Sequence, residues 1–125
     1  MTGAGAGARG PQLTAEEEVV LEKARAGMLA RHKLIEAMIR NNELQLKNES
    51  ARGGAEIERA CAVRDANKPG AGETARAEIE RTTQRLRVLE DEHQRLVVER
   101  EWLNASLLEF DSGPSSNTHG KAGHA

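Results

Sequence analysis

Residues 73 to 110 read ETARAEIERTTQRLRVLEDEHQRLVVEREWLNASLLEF, and this stretch decides the fold. Ala75, Ile79, Thr82, Leu86, Leu89, His93, Leu96, Arg100, Leu103, Leu107 and Phe110 recur within it at alternating steps of four and three. The mean step of ~3.5 residues keeps one stripe of a helix turned toward a partner over its whole length, the signature of a coiled-coil seam. The spacing therefore predicts one helix over 73–110. His93 and Arg100 stand at two of its seam positions, where polar residues weaken packing but set register or partner choice. Asp111-Ser112-Gly113-Pro114 is expected to end the helix, leaving 111–125 as a disordered tail.

Upstream, Asn67-Lys68-Pro69-Gly70-Ala71-Gly72 is dense in turn formers and predicts a connection over 67–72. Before it, Thr14-Ala15-Glu16-Glu17 has the form of a capping box, and Glu16 to Glu18 place negative charge at the positive end of a helix dipole. A long helix is expected over 14–66, preceded by a Gly- and Ala-rich disordered tail over 1–13. Its apolar residues Val20, Leu21, Ala24, Met28, Ile35, Met38, Ile39 and Leu46 fall within about a third of the circumference at ~100° per residue, with His32 and Asn42 in the same sector. That sector is the expected packing face. Val19, Ala26, Ala30, Leu34, Ala37 and Leu44 form a narrower stripe on the other side, where another helix could approach. Gly53-Gly54 costs roughly 1 kcal/mol per glycine relative to alanine, so the helix either runs through the pair or breaks there. Two helices joined by a short turn predict an all-α fold, an antiparallel two-helix coiled-coil hairpin with disordered termini.

Composition narrows the function. Two aromatic residues in 125 leave little material for a ligand pocket, and no credible strand is present to carry a phosphate-binding loop. Eighteen Lys and Arg against 20 Asp and Glu give a net charge of −2, without the basic excess of a nucleic-acid binder. Arg81, Arg85 and Arg87 do cluster, but Glu78, Glu80, Glu90, Asp91 and Glu92 surround them as on a solvated face. No apolar run suggests a leader or a bilayer-spanning segment, and the lone Cys61 forms no internal disulfide, which fits a reducing cytoplasmic compartment.

Cys61, His32 and His93 are the only candidates for nucleophilic chemistry, and nothing in the sequence supplies the pocket such a dyad needs. His119 and His124 lack flanking Cys or carboxylate ligands. The expectation is a non-enzymatic protein with no catalytic residue, cofactor or metal. A hairpin of this size buries little apolar surface, so a protein partner or a second copy of the chain is expected to complete it. Trp102, beside the seam, is expected to shield the open end of the hairpin or to anchor an interface.

One stretch adds to this. Gly54-Ala55-Glu56-Ile57-Glu58-Arg59-Ala60-Cys61, preceded by Glu43-Leu44-Gln45-Leu46-Lys47, resembles the Rho-effector homology repeat, the antiparallel coiled-coil finger of protein kinase C-related kinases, rhophilin and rhotekin. Ala75, Ile79, Thr82, Leu86 and Leu89 stand where that family's second helix places its seam. The chain departs from the family in the six residues Asn48 to Gly53 between the two stretches, and in Glu58-Arg59 after Ile57. The resemblance implies an adaptor for a Rho-type small GTPase in signal transduction. A structural coiled-coil subunit of a cytoskeletal, trafficking or chaperone-type complex is the alternative. Candidate partner or packing residues are Gly54, Ala55, Glu56, Ile79, Leu86, Leu89, His93, Arg100 and Trp102. A small-residue patch at Ala51, Gly53, Gly54 and Ala55 would let two helices approach closely near the turn.

Overall fold

The computed structural model describes the backbone of residues 12–124 and the side chains of 12–113. The expected N-terminal tail, apart from Gln12 and Leu13, lies outside the described residues. Among the described residues two α-helices make up the all-α fold: α1, Ala15–Ala66, and α2, Glu73–His124. The chain divides into two units, Met1–Lys33 and Leu34–Ala125.

In the first unit α1 begins at Ala15, directly after Thr14, the first residue of the capping box. The Thr14 backbone N–H donates to Glu17 Oε1 at 2.8 Å and the Glu17 N–H donates to Thr14 Oγ1 at 3.1 Å. Two of the N–H groups that a helix start leaves unpaired are thereby satisfied. From Gln12 to Lys33 every side chain is exposed, with Gly27 alone half-buried. The packing face expected from Val20 to Met28 is thus uncovered within this unit: Val20 is 67% and Met28 74% exposed.

The second unit is a helical hairpin. Its turn needs glycine at two places, because Gly70 (φ 78°) and Gly72 (φ 93°) occupy the left-handed region that a Cβ disfavours. Asn41 Nδ2 donates to the Leu96 carbonyl, and Asn48 Nδ2 to the Leu89 carbonyl, both at 2.9 Å. Seven residues forward on α1 correspond to seven residues back on α2, so the helices run antiparallel in heptad register. The same step leads from Asn48 to Ala55 and Ala62, and from Leu89 to Thr82 and Ala75. Asn41, Asn48, Ala55, Ala62, Thr82 and Leu103 are the buried residues among those described, all within this unit.

The α2 seam follows the sequence pattern from Ala75 to Leu107, all half-buried or buried, but Phe110 is exposed. On α1 the expectation holds at Ile35 and Met38, which are half-buried, and is corrected elsewhere in this unit. Ile39 and Leu46 point outward, at 53% and 67% exposure, while the helix is buried along Asn41, Asn48, Ala55 and Ala62, with Leu34 half-buried one heptad earlier. Helical spacing of large apolar residues points to the face that holds Ile39 and Leu46. The structure turns these two out because the 3.5-residue register with α2 is met by the small and amide side chains instead. Of the narrower stripe, Leu34 and Ala37 are half-buried, whereas Val19 and Leu44 are exposed.

Gly53-Gly54 does not interrupt α1. The helix α2 continues through Ser112 and meets non-helical backbone at Gly113 (φ 72°, ψ 172°), beyond which it is again helical to His124. The expected C-terminal tail falls largely on residues whose side chains lie outside the described ones.

Candidate functional site

Two features of the hairpin unit concentrate chemistry: a repeated polar clamp inside it and a row of small and apolar residues on the outside of α1. In the clamp, Asn41 Nδ2 donates both to the Leu96 carbonyl and to Glu99 Oε1 (2.8 Å), while its Oδ1 accepts from Gln45 Nε2 (2.7 Å). One heptad on, Asn48 Nδ2 donates to the Leu89 carbonyl and to Glu92 Oε1 (2.8 Å), and its Oδ1 accepts from Arg52 Nε (2.8 Å). Each buried amide has both N–H donors and its carbonyl oxygen engaged, which removes the penalty of burying it. The repeating elements are Asn-x-x-x-Gln/Arg on α1 and Leu-x-x-Glu on α2. A clamp of this kind holds only when the two helices sit in one register, since a slip of one residue moves the carboxylate away from the amide.

Around the clamp the seam carries further charge. Arg52 also faces Glu90 at 3.7 Å, Arg100 donates through Nη1 to Asn42 Oδ1, and Arg59 Nε donates to Thr83 Oγ1 at 2.8 Å. His93 Nδ1 and Arg100 Nε are buried without a hydrogen-bond partner. His93 lines a shallow cleft with Asn42, Gln45, Leu46, Glu49 and Arg52. Nearer the turn, Arg81 bridges Glu58 (2.9 Å) and Glu78. Hydrogen bonding to Arg81 holds the Glu78 carboxyl below its ordinary value and, reciprocally with Glu58, raises the guanidinium. The Lys68 ammonium, 3.2 Å away, does the same to the Asp65 carboxyl.

The residues singled out from sequence separate into two sets. Ile79, Leu86, Leu89, His93 and Arg100 lie half-buried in the seam, and Ala55 is buried in it. Gly54, Glu56 and Trp102 are exposed, Trp102 at 63%, so Trp102 does not shield the hairpin. The small-residue patch divides: Ala55 is buried in the seam and Ala51 half-buried, whereas a Cβ built on Gly53 or Gly54 meets nothing within 4 Å, so neither glycine serves a close approach between α1 and α2. Asn41 and Asn48 escaped the sequence reading. Their signal was the seven-residue repeat Leu34, Asn41, Asn48, Ala55, Ala62, hidden because none but Leu34 is a large apolar residue.

On the outside of α1, Leu46, Ser50, Gly53, Ile57 and Ala60 follow one another at steps of four and three, all exposed. At ~100° per residue this row lies about half a turn around the helix from the Asn48–Ala55 row. Ile57 is 68% exposed. Among the described residues no three His, Cys, Asp or Glu side chains gather as metal ligands, and no helix is long and apolar enough to cross a membrane. Comparison with known protein families, with curated proteins and with solved structures finds no match to this chain.

Proposed function

We propose that this chain is a non-enzymatic adaptor in which the hairpin presents the outer row of α1 to a protein partner. The supporting observation is Gly53-Gly54. The pair sits in uninterrupted helix at a cost of ~1 kcal/mol per glycine relative to alanine. Neither glycine uses a positive φ, and neither has a neighbour that a Cβ would strike. Nothing among the described residues accounts for them, whereas a partner helix or loop crossing between Leu46 and Ile57 would come closest to the α1 backbone there.

The partner class to test first is a Rho-type small GTPase, since Gly54 and Glu56 of the stretch resembling the Rho-effector homology repeat are exposed beside this row. In that reading the chain is a signal-transduction finger of the cytoplasm, where an exposed, unpaired Cys61 is stable as a thiol. Titration of the full chain against Rho-type GTPases loaded with GTP or GDP tests it. Binding confined to the GTP form and lost in Gly54→Leu supports the reading; equal binding to both forms, or none, rejects it. The exposed Val98 and Trp102 on α2 favour the second reading, a structural subunit of a larger coiled-coil assembly without a GTPase.

A further inference from the structure

In the first unit, Val20, Leu21, Ala24 and Met28 fall within about a third of the helix circumference, and all four are exposed, as is Leu13 just before the helix. Leu13, Glu16, Glu17, Val20, Leu21 and Ala24 line a shallow depression along this side. Charge along the same stretch is segregated. Glu16, Glu17, Glu18 and Glu22 all precede Lys23, Arg25, Arg31 and Lys33, so the segment is neutral overall but acidic at one end and basic at the other.

The pattern is nearly symmetric about Ala24. Val20 lies four residues before it and Met28 four after; Glu17 lies seven before and Arg31 seven after. Residues four and seven apart share a helix face, so the apolar pair, the charged pair and Ala24 all project to one side.

We propose that this face binds a second copy of the same segment, antiparallel, about a two-fold axis passing beside Ala24. The arrangement sets Val20 against the second copy's Met28 and Glu17 against the second copy's Arg31, each contact occurring twice as an isologous interface requires. Ala24 on the axis admits close approach of the two backbones. Parallel pairing would set the acidic turns side by side and is disfavoured by like-charge repulsion. A second copy is favoured over another partner because the exposed apolar face carries its own charge complement, Glu17 at one end and Arg31 at the other.

Sedimentation equilibrium of the full chain, with helical circular dichroism as the folding control, tests the proposal. Wild type is expected to dimerise. Glu17→Arg and Arg31→Glu are each expected to weaken the dimer at least ~10-fold, and the double swap E17R/R31E to restore it. Ala24→Cys in a Cys61→Ala background is expected to oxidise to a disulfide-linked dimer, a readout independent of the charged positions. A wild-type chain that stays monomeric at about 100 µM, far above the dissociation constants of specific dimers, overturns the proposal. So does an oligomer unmoved by the single reversals, a double swap that fails to restore association, or the absence of an Ala24→Cys crosslink. None of these residues belongs to the row around Gly53-Gly54, so loss of self-association and loss of GTPase binding are separate outcomes.

Discussion

Asn48 on α1 and Leu89 on α2 are joined across the hairpin by a 2.9 Å bond from side-chain amide to backbone carbonyl, and Asn41 and Leu96 repeat the same bond one heptad away. A carbonyl already engaged in its own helix accepts a second donor in each case, and a Glu three residues further on takes the other amide proton. The hairpin is therefore registered by polar contacts at its centre, where a conventional seam would place Leu or Ile.

Replacing these amides separates stability from specificity. Asn48→Ala removes two interhelical hydrogen bonds and is expected to lower stability by ~1–2 kcal/mol, read as a fall in the urea midpoint. The double variant Asn41→Leu/Asn48→Leu is expected to melt at higher temperature while populating mixed oligomeric states in sedimentation, since large apolar seam residues bind without fixing register. A double variant that melts higher and remains a single species would refute the registering role.

Gly53→Ala and Gly54→Ala act in the opposite sense. With helical backbone and open space at both positions, each is expected to raise stability by ~1 kcal/mol in thermal or urea unfolding. A destabilising effect would mean that the glycines serve the fold itself and would remove the observation on which the docking row rests.

Thr14→Ala deletes the side-chain half of the capping box. The expected loss is ~1 kcal/mol of local helix stability, seen as faster amide exchange over the first turn of α1. Exchange in the hairpin around Asn48 and Leu89 is expected to stay unchanged, because those contacts belong to the second unit.

Acid should loosen the turn end of the hairpin. The Asp65 and Glu78 carboxyls are held below their ordinary values by Lys68 and Arg81, so the unfolded chain takes up protons at higher pH than the folded one. Their contribution is complete at neutral pH and is lost as pH falls below ~4 and on through the lowered folded values. Urea midpoints at pH 7 and pH 3 measure the loss, and Glu78→Gln should flatten part of it. An unchanged slope in that variant would show that the Arg81 pair contributes nothing to the pH dependence.

Much of α2 was legible in advance because its seam obeys the 3.5-residue spacing with Ile and Leu at most positions. The α1 seam was not, since Asn41, Asn48, Ala55 and Ala62 carry no hydropathy signal, while Ile39 and Leu46 carry a strong one in the wrong direction. Hydrophobic periodicity marks surfaces that prefer to leave water, and it is silent about which of them the chain itself covers. Among the candidate residues, those on α2 from Ile79 to Arg100 are half-buried. Gly54 and Trp102, partner or packing candidates by sequence, are exposed.

By itself the sequence determined two helices, the Thr14 cap and the Gly-rich turn, because these depend on contacts within a few residues. The scarcity of aromatic side chains is likewise a local fact, consistent with a narrow seam. Only the tertiary structure decided which side of α1 meets α2. That choice is cooperative: Asn41 and Asn48 become good seam residues only when the Leu96 and Leu89 carbonyls and the Glu99 and Glu92 carboxylates arrive opposite them, more than 40 positions away in the chain.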